Sequence, residues 1–202
     1  MASAAACVAV AVAAVLAALV WTLWPSGTAE PSEFGVRPPA AGPSAAGFPA
    51  RSTAGAEPLG VRVPRISLDA RIEAVGVEDD GTVEVPADAG RAGWYRHGPP
   101  PGAPAGSAVL VGHVDDRTGD LGAFATLYRV REGDVVTVAR RDAPPVRYEV
   151  TAREVVDKDR LPAEVFRRDG RPVLTLVTCA PPYDPESGYE KNLVVYAEPA
   201  RG

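Results

Sequence analysis

The pattern of apolar and polar positions changes character along this chain. From Ala4 to Trp24 there is a nearly unbroken run of Ala, Val and Leu, and no charged side chain occurs between Met1 and Ala29. That is about the length that carries a helix across a bilayer core. Residues 25–60 lose all periodicity: Pro, Gly, Ala and Ser with scattered charges, as in Pro38-Pro39-Ala40-Ala41-Gly42-Pro43, read as a disordered, extended linker. Over residues 61–202, short runs rich in Val, Ile, Leu and Tyr alternate with Gly, Pro and Asp, which marks an all-β domain.

Within that domain the runs predict strands at Val61–Ile66, Ala70–Val77, Thr82–Val85, Ala108–His113, Val135–Arg140, Val146–Val155, Val173–Cys179 and Asn192–Ala197. Asp79-Asp80-Gly81 and Asp142–Pro145 are the turns between neighbours. Eight short strands in roughly 140 residues predict a closed eight-stranded β-barrel. One helical turn is expected at Leu161–Phe166, with Pro162 at its first position, and a second at Ala123–Leu127. The strand ending at Cys179 is expected to stop there, because Pro181-Pro182 follows.

The apolar N-terminal segment, residues 1–24, is read as an uncleaved signal-anchor crossing the membrane once. It is long for a signal-peptide core, and no clear small-x-small cleavage site follows Trp24. Charge gives only a weak orientation; the preferred one places the amino terminus inside and the folded domain outside, with Trp21 and Trp24 at the outer interface. The localisation expected is the cell membrane, with an extracytoplasmic domain.

A net charge of −5, with no Lys/Arg block, removes any reason to expect nucleic-acid binding. Basic residues are nearly all arginine, Lys158 and Lys191 being the two lysines. The two cysteines are Cys7, inside the apolar segment, and Cys179, so a disulfide between them is implausible. If the domain is outside, Cys179 is a lone thiol in an oxidising compartment, a liability unless buried or used.

Cys179 alone reads as a small buried hydrophobe, the usual state of a free cysteine. His113 alone reads as structural or solvated; it closes the apolar strand Ala108-Val109-Leu110-Val111-Gly112. Taken together, a thiol and an imidazole at strand ends are the minimum for a nucleophile with an acid/base beside it. The other histidine, His97, lies in a proline-rich connection and is the weaker choice. Papain-like order is excluded, since there the cysteine precedes the histidine.

Val111-Gly112-His113 and Thr175-Leu176-Val177-Thr178-Cys179 resemble the hallmarks of the sortases, a family of cysteine transpeptidases. The form Gly112-His113-Val114-Asp115, the pair Trp94-Tyr95, Gly133-Asp134 and the run Asn192-Leu193-Val194-Val195-Tyr196-Ala197 are most similar to the class F sortases of actinobacteria. The resemblance implies an eight-stranded sortase-type barrel. It also implies attack by Cys179 on the Thr–Gly bond of a Leu-Pro-x-Thr-Gly-like sorting signal, with His113 exchanging protons. The resulting thioester passes to an amine such as a cell-wall precursor, and neither cofactor nor metal is required. Partners would be proteins bearing that signal.

One departure stands out. Sortases carry an arginine on the final strand, and here the stretch is Tyr189-Glu190-Lys191-Asn192-Leu193. Glu190 and Asn192 share strand parity, whereas Lys191 points to the opposite face. Asn192 and Lys191 are the candidates for holding substrate or oxyanion, with Arg117 a more distant one. Asp115 is a candidate for orienting the imidazole, although Asp115-Asp116-Arg117-Thr118-Gly119-Asp120 reads first as an acidic turn and only weakly as a calcium site. Two further readings follow from the departure: a sortase-fold binding module with weak or no transpeptidation, and a thiol hydrolase on the same fold.

Overall fold

The computed structural model describes residues 32–39 and 56–200; the expected membrane segment lies outside them. Eight strands run in the order β1 (Pro58–Val63), β2 (Leu68–Val75), β3 (Ala92–Tyr95), β4 (Ser107–Gly112), β5 (Val135–Arg140), β6 (Ala143–Asp157), β7 (Val173–Asp184) and β8 (Gly188–Pro199). They close into a barrel with neighbours β1-β2-β3-β4-β7-β8-β6-β5. β2/β3 and β4/β7 pair parallel and the other neighbours antiparallel. Among the described residues, each strand therefore has a paired neighbour on both sides.

The β4 run is continuously apolar because both of its faces are covered. Ala108 and Leu110 turn into the barrel core with Leu174, Leu176, Leu193 and Val195, while Val109 and Val111 join an outer layer with Val177, Val194 and Tyr196. Every β4 residue is buried, as expected for a strand shielded on both sides. A short 3₁₀ turn, Ala163–Phe166, lays Val165 and Phe166 over that outer layer.

Several expectations change in detail. Thr82–Val85 is not a barrel strand; Val83 makes only an isolated bridge to Val77, forming a small hairpin, and β3 takes the eighth place. β7 does not stop at Cys179 but continues to Asp184. The register shifts between Ala180 and Tyr183, so the two prolines fall where the ladder asks no N–H of them. The two expected helical turns are 3₁₀ turns at Ala163–Phe166 and Leu127–Arg129, and Pro162 caps the first rather than entering it.

Residues 32–39, within the stretch read as a linker, lie against β6. Phe34 and Arg153 exchange backbone hydrogen bonds (3.1 and 2.9 Å), and the Arg153 guanidinium stacks 4.9 Å over the Phe34 ring. Arg37 donates twice to the Glu154 carboxylate, at 2.9 and 2.8 Å. Gly35 has φ +69°, and a Cβ there would lie 2.1 Å from the Thr151 carbonyl, so only glycine allows the approach. Composition conceals this strap because its contacts are made by single residues in a stretch without period.

Candidate active site

The outer apolar layer is built of stripes, one from each of four adjacent strands, and three of them end in a polar side chain at the same level. On β4 the alternation Val109, Val111 leads to His113; on β7 Thr175, Val177 leads to Cys179; on β8 Tyr196, Val194 leads to Asn192. The register aligns them: Val111 pairs with Val177, Val177 with Val194, and Cys179 with Asn192. A period of two along each strand therefore delivers a thiol, an imidazole and an amide to one patch.

That patch floors a cleft of about 660 Å³. Its barrel side is Val111, His113, Val177, Cys179 and Asn192, and the facing walls are the 77–85 hairpin, Lys158, Leu161 and Phe166. The hairpin presents Val77 and Val85 partly exposed. Asn192 is 9% exposed, so its amide sits where a hydrogen bond is worth more than in open solvent.

Cys179 is half-buried and unpaired. Burial pushes its thiol above the ordinary range; the Lys158 ammonium acts against that, and the Asp115 carboxylate adds to it. His113 is held by a 2.9 Å hydrogen bond between Nε2 and the Pro86 carbonyl. A carbonyl only accepts, so Nε2 carries the hydrogen, and Nδ1 is the nitrogen left for proton exchange.

Two contacts hold the pair in place. Thr178 Oγ1 donates to the Gly112 carbonyl (2.8 Å), tying β7 to β4 beside Cys179 and His113. Gly112 must be small because a Cβ there would lie 2.8 Å from the buried Phe124 ring, which explains the glycine before the histidine.

Asp115, the candidate for orienting the imidazole, is engaged by another group. Its carboxylate accepts from Tyr189 Oη (2.6 Å), and the imidazole's hydrogen bond goes to Pro86 instead. Asp116 closes its own turn, accepting from Thr118 and Asp120, and among the described residues no group of three or more acidic, histidine or cysteine side chains converges as a metal site. His97 stacks edge-on to Tyr95, outside the cleft lining, and Arg117 is exposed in the acidic turn. Lys191 pairs with Ala180 and Asp157, on the opposite parity to Asn192, and does not line the cleft. Sequence reasoning missed Pro86, whose contribution is a backbone carbonyl that no residue type announces, and Lys158.

The sortase domain family matches residues 61–200. Among solved structures, the chain is similar to sortase C2 of Group B Streptococcus pilus island 1: 26% identity over 70% of this chain and 73% of that one, TM-score 0.55. Sortase C-1 of Actinomyces oris gives 24% identity, covering 71% and 73%, TM-score 0.54. Sortase A of Listeria monocytogenes gives 19%, covering 72% and 88%, TM-score 0.52; these latter two likenesses speak for the fold alone. No curated protein matches the chain.

Proposed function

The chain belongs to the sortase family, whose members are cysteine transpeptidases, and from that premise we propose a class F-type enzyme held at the outer face of a membrane by its N-terminal segment. Its donor substrate is a protein carrying a Leu-Pro-x-Thr-Gly-like signal, and its acceptor is an amine such as a cell-wall precursor. The observation that carries the reading is the convergence of Cys179, His113 and Asn192 at the ends of three adjacent stripes on one cleft. The class F assignment is supported by the run Gly112-His113-Val114-Asp115.

In the first half-reaction His113 accepts the thiol proton as Sγ bonds to the threonyl carbonyl carbon. The carbonyl oxygen takes up the negative charge, and the Asn192 amide faces the cleft where it can donate to that oxygen. Collapse breaks the C–N bond to glycine, the proton returns from His113 to the leaving amine, and a thioester remains on Cys179. An acceptor amine then attacks the thioester, gives up a proton to His113, and the sulfur leaves and is reprotonated. No step requires a cofactor.

The test is to incubate the full chain with sorting-signal peptides and read the protein mass with and without added amine. An adduct on the wild type that Cys179→Ala abolishes, and that amine discharges to a new amide, is the expected result. Absence of an adduct with every peptide would overturn the enzyme reading. Discharge at the same rate without amine, giving free acid, would assign a hydrolase.

A further inference from the structure

The outer layer has a fourth stripe, which the three site residues leave unused. On β6 the residues facing that layer are Ala152, Glu154 and Val156, and the next position of the same parity is Lys158. Val156 pairs with Asn192, which pairs in turn with Cys179, so these three residues form one row across β6, β8 and β7. Neighbouring strands lie about 4.8 Å apart, which puts the Val156 backbone about 10 Å from that of Cys179. Lys158 starts one position past the end of β6, and its side chain lines the same cleft as Cys179, His113 and Asn192.

We infer that Lys158 is the cationic member of this active site: its ammonium balances the negative charge that the Cys179 sulfur, and then the tetrahedral oxygen, takes on. The inference rests on the transpeptidase reading and adds a residue to it. Three observations support it. The other polar groups converging on the cleft floor, the thiol, the imidazole and the Asn192 amide, carry no fixed positive charge. Among the charges acting on the thiol, Lys158 is the favourable one and Asp115 the opposing one. No hydrogen bond or ion pair among the described residues engages the Lys158 ammonium, whereas Arg160 on the same turn is paired with Asp157. A flexible ammonium at the cleft rim can follow charge from sulfur to oxygen during the reaction, which a fixed ion pair could not.

The groups facing Cys179 from the elements around it are Lys158 after β6, His113 and Asp115 after β4, Tyr189 on β8 and Asp80 in the 77–85 hairpin. The test is alkylation of the full chain by iodoacetamide as a function of pH, read by mass on the peptide containing Cys179 so that Cys7 does not contribute. No substrate is needed, so the result is independent of whether the sorting-signal assignment holds. Lys158→Met is expected to move the midpoint to higher pH and slow alkylation below it by about three- to tenfold. Lys158→Arg should restore most of the rate, and Arg160→Met should change nothing. With a peptide that the wild type cleaves, Lys158→Met should lower kcat by about tenfold or more with a smaller change in KM, as expected for a group acting on the transition state. An unmoved alkylation midpoint in Lys158→Met, or an equal shift in Arg160→Met, overturns the assignment.

Discussion

Cys179 on β7 and Asn192 on β8 are direct cross-strand partners, so their side chains rise side by side from the same face of the barrel. Lys191, one residue earlier, pairs with Ala180 and takes the other face. Of the two β8 candidates, Asn192 lines the cleft. Asn192→Ala should therefore lower kcat on a sorting-signal peptide by roughly a hundredfold with little change in KM, the usual effect of losing one oxyanion donor. Lys191→Ala should stay within about twofold of wild type, as surface substitutions away from a site do. A larger fall in Lys191→Ala than in Asn192→Ala would show that the strand is twisted out of this register in the working enzyme.

Pro86 occupies His113 Nε2 and leaves Nδ1 as the nitrogen for the proposed proton exchange. His113→Ala should cut peptide turnover by about 10²–10⁴, the range for a lost general acid/base. Its Cys179 should still be alkylated by iodoacetamide, since that reaction needs the thiolate but no proton for a leaving group. Loss of both activities would mean that the substitution had disturbed the barrel end, and far-UV circular dichroism separates the two outcomes.

Thr178 ties β7 to β4 through Gly112. Both partners are buried, so Thr178→Val leaves the Gly112 carbonyl without its side-chain donor and should cost about 1–3 kcal/mol in urea unfolding. The same change loosens β4 against β7 beside the reacting pair, so kcat should fall more than KM rises.

What could be read in the chain and what could not divides along physical lines. The apolar runs Ala108–Gly112 and Leu174–Val177 are visible in a string of letters, and so are His113 and Cys179 near their ends; which of their residues face the core and which the outer layer is not, because both faces are covered and the letters show no period. Register is not visible, because it depends on which strands become neighbours, and only the Cys179–Asn192 pairing separates Asn192 from Lys191. Lys158 was seen as a rare lysine but had no address until β6 was found beside β8. The Pro86 carbonyl and the docked strap are invisible for another reason: backbone acceptors have no letter, and Phe34, Gly35 and Arg37 each act once, with no period to mark them.

The strap makes its own prediction. Arg37 and Tyr196 Oη both donate to Glu154, at 2.9 and 2.8 Å from the guanidinium and 2.6 Å from the phenol. Arg37→Ala removes a partly exposed pair and should cost about 0.5–1 kcal/mol. Glu154→Ala also leaves the buried Tyr196 hydroxyl without its acceptor and should cost about 2 kcal/mol or more. In hydrogen exchange, the Arg37 substitution should raise exchange at the Phe34 and Arg153 amides, which bond each other's carbonyls, and leave β7 unchanged. Unchanged protection at both amides would show that Arg37 does not hold residues 32–39 to β6.

Tyr148 carries a pH signature. Its side chain is buried in the barrel core, its hydroxyl oxygen accepts from the Gly102 N–H at 2.7 Å, and burial pushes the phenol up to about 12. An unfolded tyrosine ionises near 10, so between those values the unfolded chain has given up a proton that the folded chain keeps. The stabilisation from the neutral phenol is therefore fully present below about pH 10 and is lost as pH rises toward about 12. Tyr189 and Tyr196 are pushed up as well, by burial first and then by the carboxylates of Asp115 and Glu154, and they steepen the same decline. Urea unfolding across that range should show stability falling with pH, and Tyr148→Phe should flatten the fall. At neutral pH the same variant should lose about 1 kcal/mol, because the Gly102 N–H loses its acceptor while the ring still fills its place in the core. A decline of equal slope in wild type and Tyr148→Phe would show that this phenol does not set the alkaline limit.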